Sequence, residues 1–176
     1  MNAADRIHTA GIVPVASVAD SQYAVELCAA LESATLPVVE ITFRTTAAAD
    51  AIAAAVKNFP NMLVGAGTVL TREDVHAAHN AGAHFAVAPG LNPTVVQAAH
   101  EVGLPFFPGV STPSDIEAAL QLNCTVLKLF PAEALGGPAY LKAIAAPYAH
   151  KDVRFIPPGG INPINLRHYL ALPQVI

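Results

Sequence analysis

The sequence predicts an α/β fold, a parallel β/α barrel, on three observations. Short apolar runs rich in β-branched and aromatic residues recur at 12–18, 38–43, 62–66, 84–88, 105–110, 125–130 and 153–156. Alanine-rich stretches of helical length, such as 23–34, 47–58 and 74–81, lie between them. Polar residues suited to chemistry stand inside or at the carboxyl ends of four separate runs, where the sites of parallel barrels are assembled.

The first run leads into Val18-Ala-Asp-Ser21, which lacks the glycine fingerprint of a dinucleotide-binding turn and so weighs against an open doubly wound sheet. In the second, Val38-Val-Glu-Ile-Thr-Phe-Arg44, period-two alternation sets Glu40, Thr42 and Arg44 on one face and Val39, Ile41 and Phe43 on the other. A strand of a parallel barrel is covered on both faces, so this polar face calls for a purpose beyond a Glu40–Arg44 salt bridge. Glu40 and Arg44 would lie ~13 Å apart on a straight strand, which suits different roles at different depths. The third run closes on Gly65-Ala-Gly-Thr68, where glycines admit a ligand and Thr68 offers a hydroxyl.

Thr71-Arg-Glu-Asp74 and Thr112-Pro-Ser-Asp115 each place an acid three residues after a capping threonine, and Asn92-Pro93, Asn162-Pro163 and the same Thr112-Pro113 each set a capping side chain before a proline at a helix start. The sixth run, Thr125-Val-Leu-Lys-Leu-Phe-Pro131, holds the most informative anomaly, a lysine within an apolar strand. An isolated Lys128 would read as a snorkelling strand-end residue or half of an ion pair. Its place on the face of Val126 and Phe130 favours instead the uncharged amine that attacks a ketone, with Glu40 as proton carrier. After the seventh run, Pro157-Pro-Gly-Gly160 leads into Asn162-Pro163, so backbone amides near a helix start are placed to hold phosphate. Run onsets recur at roughly the 25-residue interval of a small eight-unit barrel.

Composition sets the bounds. The 176 residues are 53% apolar and 12% charged, enough to bury a core in one domain, 1–176, with no linker or second-domain boundary. A net charge of -4 with nine scattered Lys and Arg gives no footprint for nucleic acid or an anionic membrane. Two unpaired-looking cysteines, Cys28 and Cys124, no basic leader and no apolar stretch near the ~18 residues of a span point to a cytoplasmic protein. His76 and His79 share a helical face but have no ligand partners nearby, and His84 stands at the wrong end of its strand, so no metal site is assigned.

The strings Val39-Glu-Ile-Thr-Phe-Arg-Thr45, Val64-Gly-Ala-Gly-Thr-Val69, Val87-Ala-Pro-Gly-Leu91, Pro108-Gly-Val-Ser-Thr112, Lys128-Leu-Phe-Pro-Ala-Glu133 and Pro157-Pro-Gly-Gly-Ile161 together resemble the bacterial 2-keto-3-deoxy-6-phosphogluconate and 4-hydroxy-2-oxoglutarate aldolases. The match runs in order across nearly the whole chain.

The resemblance implies a TIM-type (β/α)8 barrel and a metal-independent class I aldolase, a carbon–carbon lyase of the Entner–Doudoroff pathway that needs no cofactor. Lys128 would form the Schiff base and Glu40 would be the general acid/base. Arg44 and Thr68 would bind the pyruvyl carboxylate, Pro89 and Phe130 would line the pocket, and Gly159 and Gly160 would hold phosphate. The partner is a small keto acid, and relatives commonly assemble as homotrimers. Two departures are visible. Pro158 stands where many relatives have threonine. The chain also ends at Pro173-Gln-Val-Ile176, which predicts a barrel lacking its eighth strand and final helix. The readings beside the phosphorylated substrate are cleavage of 4-hydroxy-2-oxoglutarate to pyruvate and glyoxylate, and a truncated, inactive barrel kept for ligand binding or assembly.

Overall fold

Helix and strand alternate from the first residues of the computed structural model, which describes residues 1–176. The chain divides into two units, Met1–Val87 with Thr94–Phe106, and Ala88–Pro93 with Phe107–Ile176.

The first unit opens with a helix outside the alanine-rich stretches, α1 (Ala3–Ala10). Asn2 Oδ1 accepts the Asp5 amide at 2.9 Å, and Gly11 ends the helix with φ 75°. There follow β1 (Val15–Ala16), α2 (Ser21–Ser33), β2 (Val38–Thr42), α3 (Ala48–Asn58), β3 (Leu63–Gly67), α4 (Arg72–Asn80), β4 (Phe85–Val87), α5 (Pro93–Glu101) and β5 (Phe106–Phe107). The sheet order is β1-β2-β3-β4-β5, and the first three pairings are parallel.

All residues of β2 and β3 are buried, as a strand covered on both faces requires. Helix α3 buries Ala48, Ala51, Ile52 and Ala55, one stripe at helical spacing. Burying Ile52 alone contributes about 1.5–3 kcal/mol. On α4 the Thr71 hydroxyl accepts the Asp74 amide at 3.0 Å, while Asp74 Oδ2 accepts the Thr71 amide at 3.1 Å, the reciprocal cap expected from the sequence. Strand β1 covers only two residues of the expected 12–18, because Pro14 has no N–H to donate and serves through its carbonyl, which accepts from the Glu40 amide at 2.8 Å.

The second unit contains β6 (Gly109–Val110), α6 (Pro113–Gln121), β7 (Val126–Leu129), α7 (Gly137–Ala145), a 3₁₀ turn at Ala146–Lys151, β8 (Arg154–Ile156) and α8 (Leu166–Leu170), with β6-β7-β8 paired in parallel. The run expected as one strand at 105–110 is split between β5 and β6, since Pro108 cannot donate to a ladder. Its carbonyl still pairs, accepting from the Lys128 amide at 2.9 Å. Val175 makes a parallel bridge to Phe155, through Phe155 N to Gln174 O at 2.7 Å and Ile176 N to Phe155 O at 3.1 Å. This is an isolated bridge, and no strand follows β8 in the described residues.

The helix expected at Asn162-Pro163 starts three residues later. Asn162 Oδ1 accepts the Ile164 and Asn165 amides at 2.9 and 3.3 Å, and Asn165 Oδ1 accepts the Asn162 amide at 2.8 Å. These side chains close a turn of their own and so compete with the helix, leaving α8 only five residues.

Candidate active site

In the first unit the candidate groups lie within β2 and just beyond the carboxyl ends of β2 and β3. Glu40 and Thr42 are buried, at 5% and 1% exposure, and lie opposite Gly65 and Gly67 in the β2–β3 ladder. A methyl group at Gly67 would come within 2.1 Å of Glu40 Oε1, so the second glycine of Val64-Gly-Ala-Gly-Thr68 is the room into which the carboxylate fits. Thr42 Oγ1 is buried without a hydrogen-bond partner, a cost of about 1–3 kcal/mol that a strand facing only its own core would have no reason to bear. The alternation of the sequence places Thr42 on the face of Glu40, but only the buried, unpartnered hydroxyl marks it as a functional candidate.

Arg44 is not on the strand. Strand β2 ends at Thr42, and Arg44 stands exposed on the following turn, so its reach is that of a flexible side chain. Thr68 follows β3 directly, half-buried, with φ 58°. A β-branched residue rarely adopts this left-handed conformation, and such strain collects at ligand sites. Strain is the added structural signal at this residue, and no sequence pattern announces it.

In the second unit the groups gather on β6, β7 and the turn after β8. Lys128, at 7% exposure, lies opposite Gly109 on one side and Ile156 on the other. Its Nζ stands 5.8 Å from the centre of the Phe130 ring, within cation–π range. A methyl at Gly109 would come within 2.1 Å of the Pro89 carbonyl oxygen, and the Gly109 amide donates to Gly90 O at 3.2 Å. Gly109 is thus the residue that lets the Pro89 loop approach β6, the strand next to that of Lys128, while Phe130 flanks the amine. That loop also lines a cavity of about 410 Å³ with Gly109, Val110, Ser111 and Asp115.

Ser111 is held from two sides. Asp115 Oδ2 accepts from the Ser111 amide at 2.9 Å, the Ser111 hydroxyl at 3.1 Å and the Thr112 amide at 2.9 Å, while the Tyr140 hydroxyl donates to Ser111 O. Burial pushes the Asp115 carboxyl up, but the donors of Ser111 and Thr112 together outweigh it and leave it below the usual carboxylate range.

Gly159 and Gly160 form the turn after β8, both left-handed, at φ 102° and 87°. The Gly159 carbonyl accepts from the Glu133 amide at 3.0 Å and the Gly160 carbonyl from Asn165 Nδ2 at 3.0 Å. With both carbonyls engaged inside the chain, the groups that the turn can offer an anion are its amides. These belong to the turn itself, not to the start of α8, which lies farther along the chain.

The remaining sequence candidates hold structural positions. His76 and His79 are exposed on α4. The His84 ring accepts the Val64 amide at 3.0 Å at the start of β4, and burial, then the Arg6 charge, push its imidazole down. Cys28 and Cys124 are buried thiols, each pushed up to about 11, by burial first and at Cys28 also by Glu32. The structure contains no cluster of three or more metal-ligating side chains, and no helix is long and apolar enough to cross a membrane.

Residues 3–176 match the family model described as KDPG and KHG aldolase. The chain belongs to that family. It is 42% identical over 172 residues to the 2-dehydro-3-deoxy-phosphogluconate aldolase of Haemophilus influenzae, covering 98% of this chain and 80% of the relative. It is 44% identical over 174 residues to the KHG/KDPG aldolase of Escherichia coli, covering 98% and 81%. Its fold superposes on the KDPG aldolase of Legionella pneumophila with a TM-score of 0.92 and 35% identity, covering 99% of this chain and 84% of the other. In that crystal structure pyruvate is captured as a covalent carbinolamine. The aldolase fold is the TIM-type parallel β/α barrel that the alternating elements had predicted.

Proposed function

We propose that this chain is a class I aldolase that cleaves 2-keto-3-deoxy-6-phosphogluconate to pyruvate and glyceraldehyde 3-phosphate through a Schiff base on Lys128. One observation carries the reading: an amine at 7% exposure in the apolar strand β7, beside the Phe130 ring and opposite Gly109, within a chain of this family. Carbinolamine capture in the Legionella relative supports the same chemistry here.

The Lys128 amine adds to the ketone carbon, and loss of water gives a protonated imine. Glu40 takes the proton of the C4 hydroxyl, the C3–C4 bond breaks, and its electron pair moves into the imine to leave an enamine while the aldehyde departs. Protonation of the enamine carbon and hydrolysis release pyruvate and restore the amine. Arg44 and Thr68 bind the pyruvyl carboxylate, Pro89 and Phe130 line the pocket, and the amides of Gly159 and Gly160 take the terminal phosphate. Residues 1–176 act as one barrel domain that needs no cofactor, works in the cytoplasm and assembles as a homotrimer, which light scattering behind a sizing column tests.

Pro158 gives weight to a second reading. Its ring has no hydroxyl to offer a phosphate, which favours the unphosphorylated 4-hydroxy-2-oxoglutarate, cleaved to pyruvate and glyoxylate. Pyruvate release from the two keto acids, compared under the same conditions, decides. A higher kcat/KM on the phosphorylated acid supports the first reading and the reverse supports the second. Pyruvate from neither overturns both.

A further inference from the structure

The glutamate that ends Lys128-Leu-Phe-Pro-Ala-Glu133 has no part in the chemistry above, yet it lies against the Gly-Gly turn. A methyl at Gly160 would fall within 2.6 Å of Glu133 Cβ and 2.7 Å of its Cγ, so the side chain packs directly on Gly160. The backbones are joined as well, through Ala132 N to Pro158 O at 2.9 Å and Glu133 N to Gly159 O at 3.0 Å. The carboxylate continues past the turn, and Glu133 Oε1 accepts a short hydrogen bond from the hydroxyl of Tyr169 on α8. Tyr169 is almost wholly buried, at 1% exposure.

A carboxylate next to a turn that takes phosphate presents an electrostatic problem. Left to rotate, it would set a negative charge beside the ligand's own and could itself accept the turn's amides. The Tyr169 hydroxyl draws Oε1 to the α8 side, while the Glu133 stem still supports Gly160. Burial, and then the Glu133 carboxylate, push the Tyr169 phenol well above its ordinary range, so it remains a donor throughout the working range of pH.

We propose that Glu133 and Tyr169 are positioning residues for the phosphate turn: the pair holds Gly159–Gly160 in shape and keeps the carboxylate away from the anion, and so sets the preference for a phosphorylated keto acid. The inference rests on the aldolase reading and refines its specificity.

The test compares wild type, Tyr169→Phe and Glu133→Gln on 2-keto-3-deoxy-6-phosphogluconate and on 4-hydroxy-2-oxoglutarate, with circular dichroism and a melting curve for each protein. Tyr169→Phe removes one oxygen and frees the carboxylate. Loss of a charge-assisted hydrogen bond corresponds to roughly ten-fold or more, so KM for the phosphorylated acid rises by about that factor. Neither kcat nor KM for the unphosphorylated acid moves by more than about two-fold. Glu133→Gln keeps an acceptor for Tyr169 without the charge, and leaves KM for the phosphorylated acid within about three-fold of wild type. Should Tyr169→Phe fail to fold, Glu133→Lys takes its place: charge attraction alone would lower KM for the phosphorylated acid, whereas loss of the brace raises it. Equal changes on both substrates, or none on the phosphorylated one, overturn the inference. Borohydride trapping of pyruvate on the wild type separates the two claims, since pyruvate carries no phosphate. No trapping on the wild type removes the aldolase reading, whereas normal trapping with an unmoved KM removes only the brace.

Discussion

Glu40 stands in the middle of a five-residue strand paired in parallel on both sides, whereas Gly159 and Gly160 stand in a turn whose carbonyls are held by the Glu133 backbone and the Asn165 side chain. The carboxylate is positioned by the β2 and β3 ladder and by space, namely the absence of a side chain at Gly67. The turn is positioned by individual hydrogen bonds. The lesson is that groups held by a ladder are sensitive to volume, and groups held by a turn are sensitive to the loss of a single donor or acceptor.

The comparison can be broken first at its strongest point. Glu40→Gln keeps the volume and removes the proposed proton carrier, so kcat falls roughly 10²–10⁴-fold while the melting temperature stays near that of wild type; a steady-state assay with a thermal scan checks both. Gly109→Ala tests volume in the second unit. The clash is with backbone, the Pro89 carbonyl at 2.1 Å, and backbone yields less readily than a side chain. An unfolding free energy lower by about 1–3 kcal/mol is expected, read from urea titration, with slower adduct formation on Lys128. Gly67→Ala meets the movable end of Glu40 instead, so it costs more in activity than in stability.

Thr42→Val sharpens the contrast from the other side. It replaces a buried hydroxyl that has no partner, so the chain becomes more stable by up to about 1–2 kcal/mol even as activity declines. Equal losses of stability and activity would mean that Thr42 is ordinary core. Asp115 provides the turn-type counterpart. Its carboxyl lies below the ordinary value, so its contribution to stability is complete at neutral pH and is lost as pH falls below that value and through the lowered one. Between pH 7 and pH 3 the urea midpoint of wild type should fall further than that of Asp115→Asn.

The smallest expected effect is at the cysteines. Both thiols are buried and raised to about 11, so alkylation of native protein at neutral pH should be slow until denaturant is added.

The parts of this molecule legible in the sequence are those set by periodicity or by local chemistry. Alternation was enough to place Glu40 and Thr42 on one face, and Thr-x-x-Asp was enough to start α4 and α6. The opening helix was legible in principle, since Asn2 with Asp5 and then Gly11 are start and stop signals, but its few apolar residues hid it. The start of α8 was misplaced because Asn-Pro also begins a turn, and only the mutual hydrogen bonds of Asn162 and Asn165 show which competing structure wins. Lys128 was legible as an anomaly of composition. Gly109 and Tyr169 were not, because their roles depend on which backbone or carboxylate each one meets across many residues of chain.

The central claim is that Lys128 is the nucleophile. Incubation with pyruvate and borohydride, followed by intact-mass analysis and peptide mapping, tests it most directly on wild type and Lys128→Ala. The account predicts one reduced pyruvyl group, carried by the peptide containing Lys128 and absent from the variant. A folded wild type that gains no adduct, or an adduct that persists in Lys128→Ala, would contradict it.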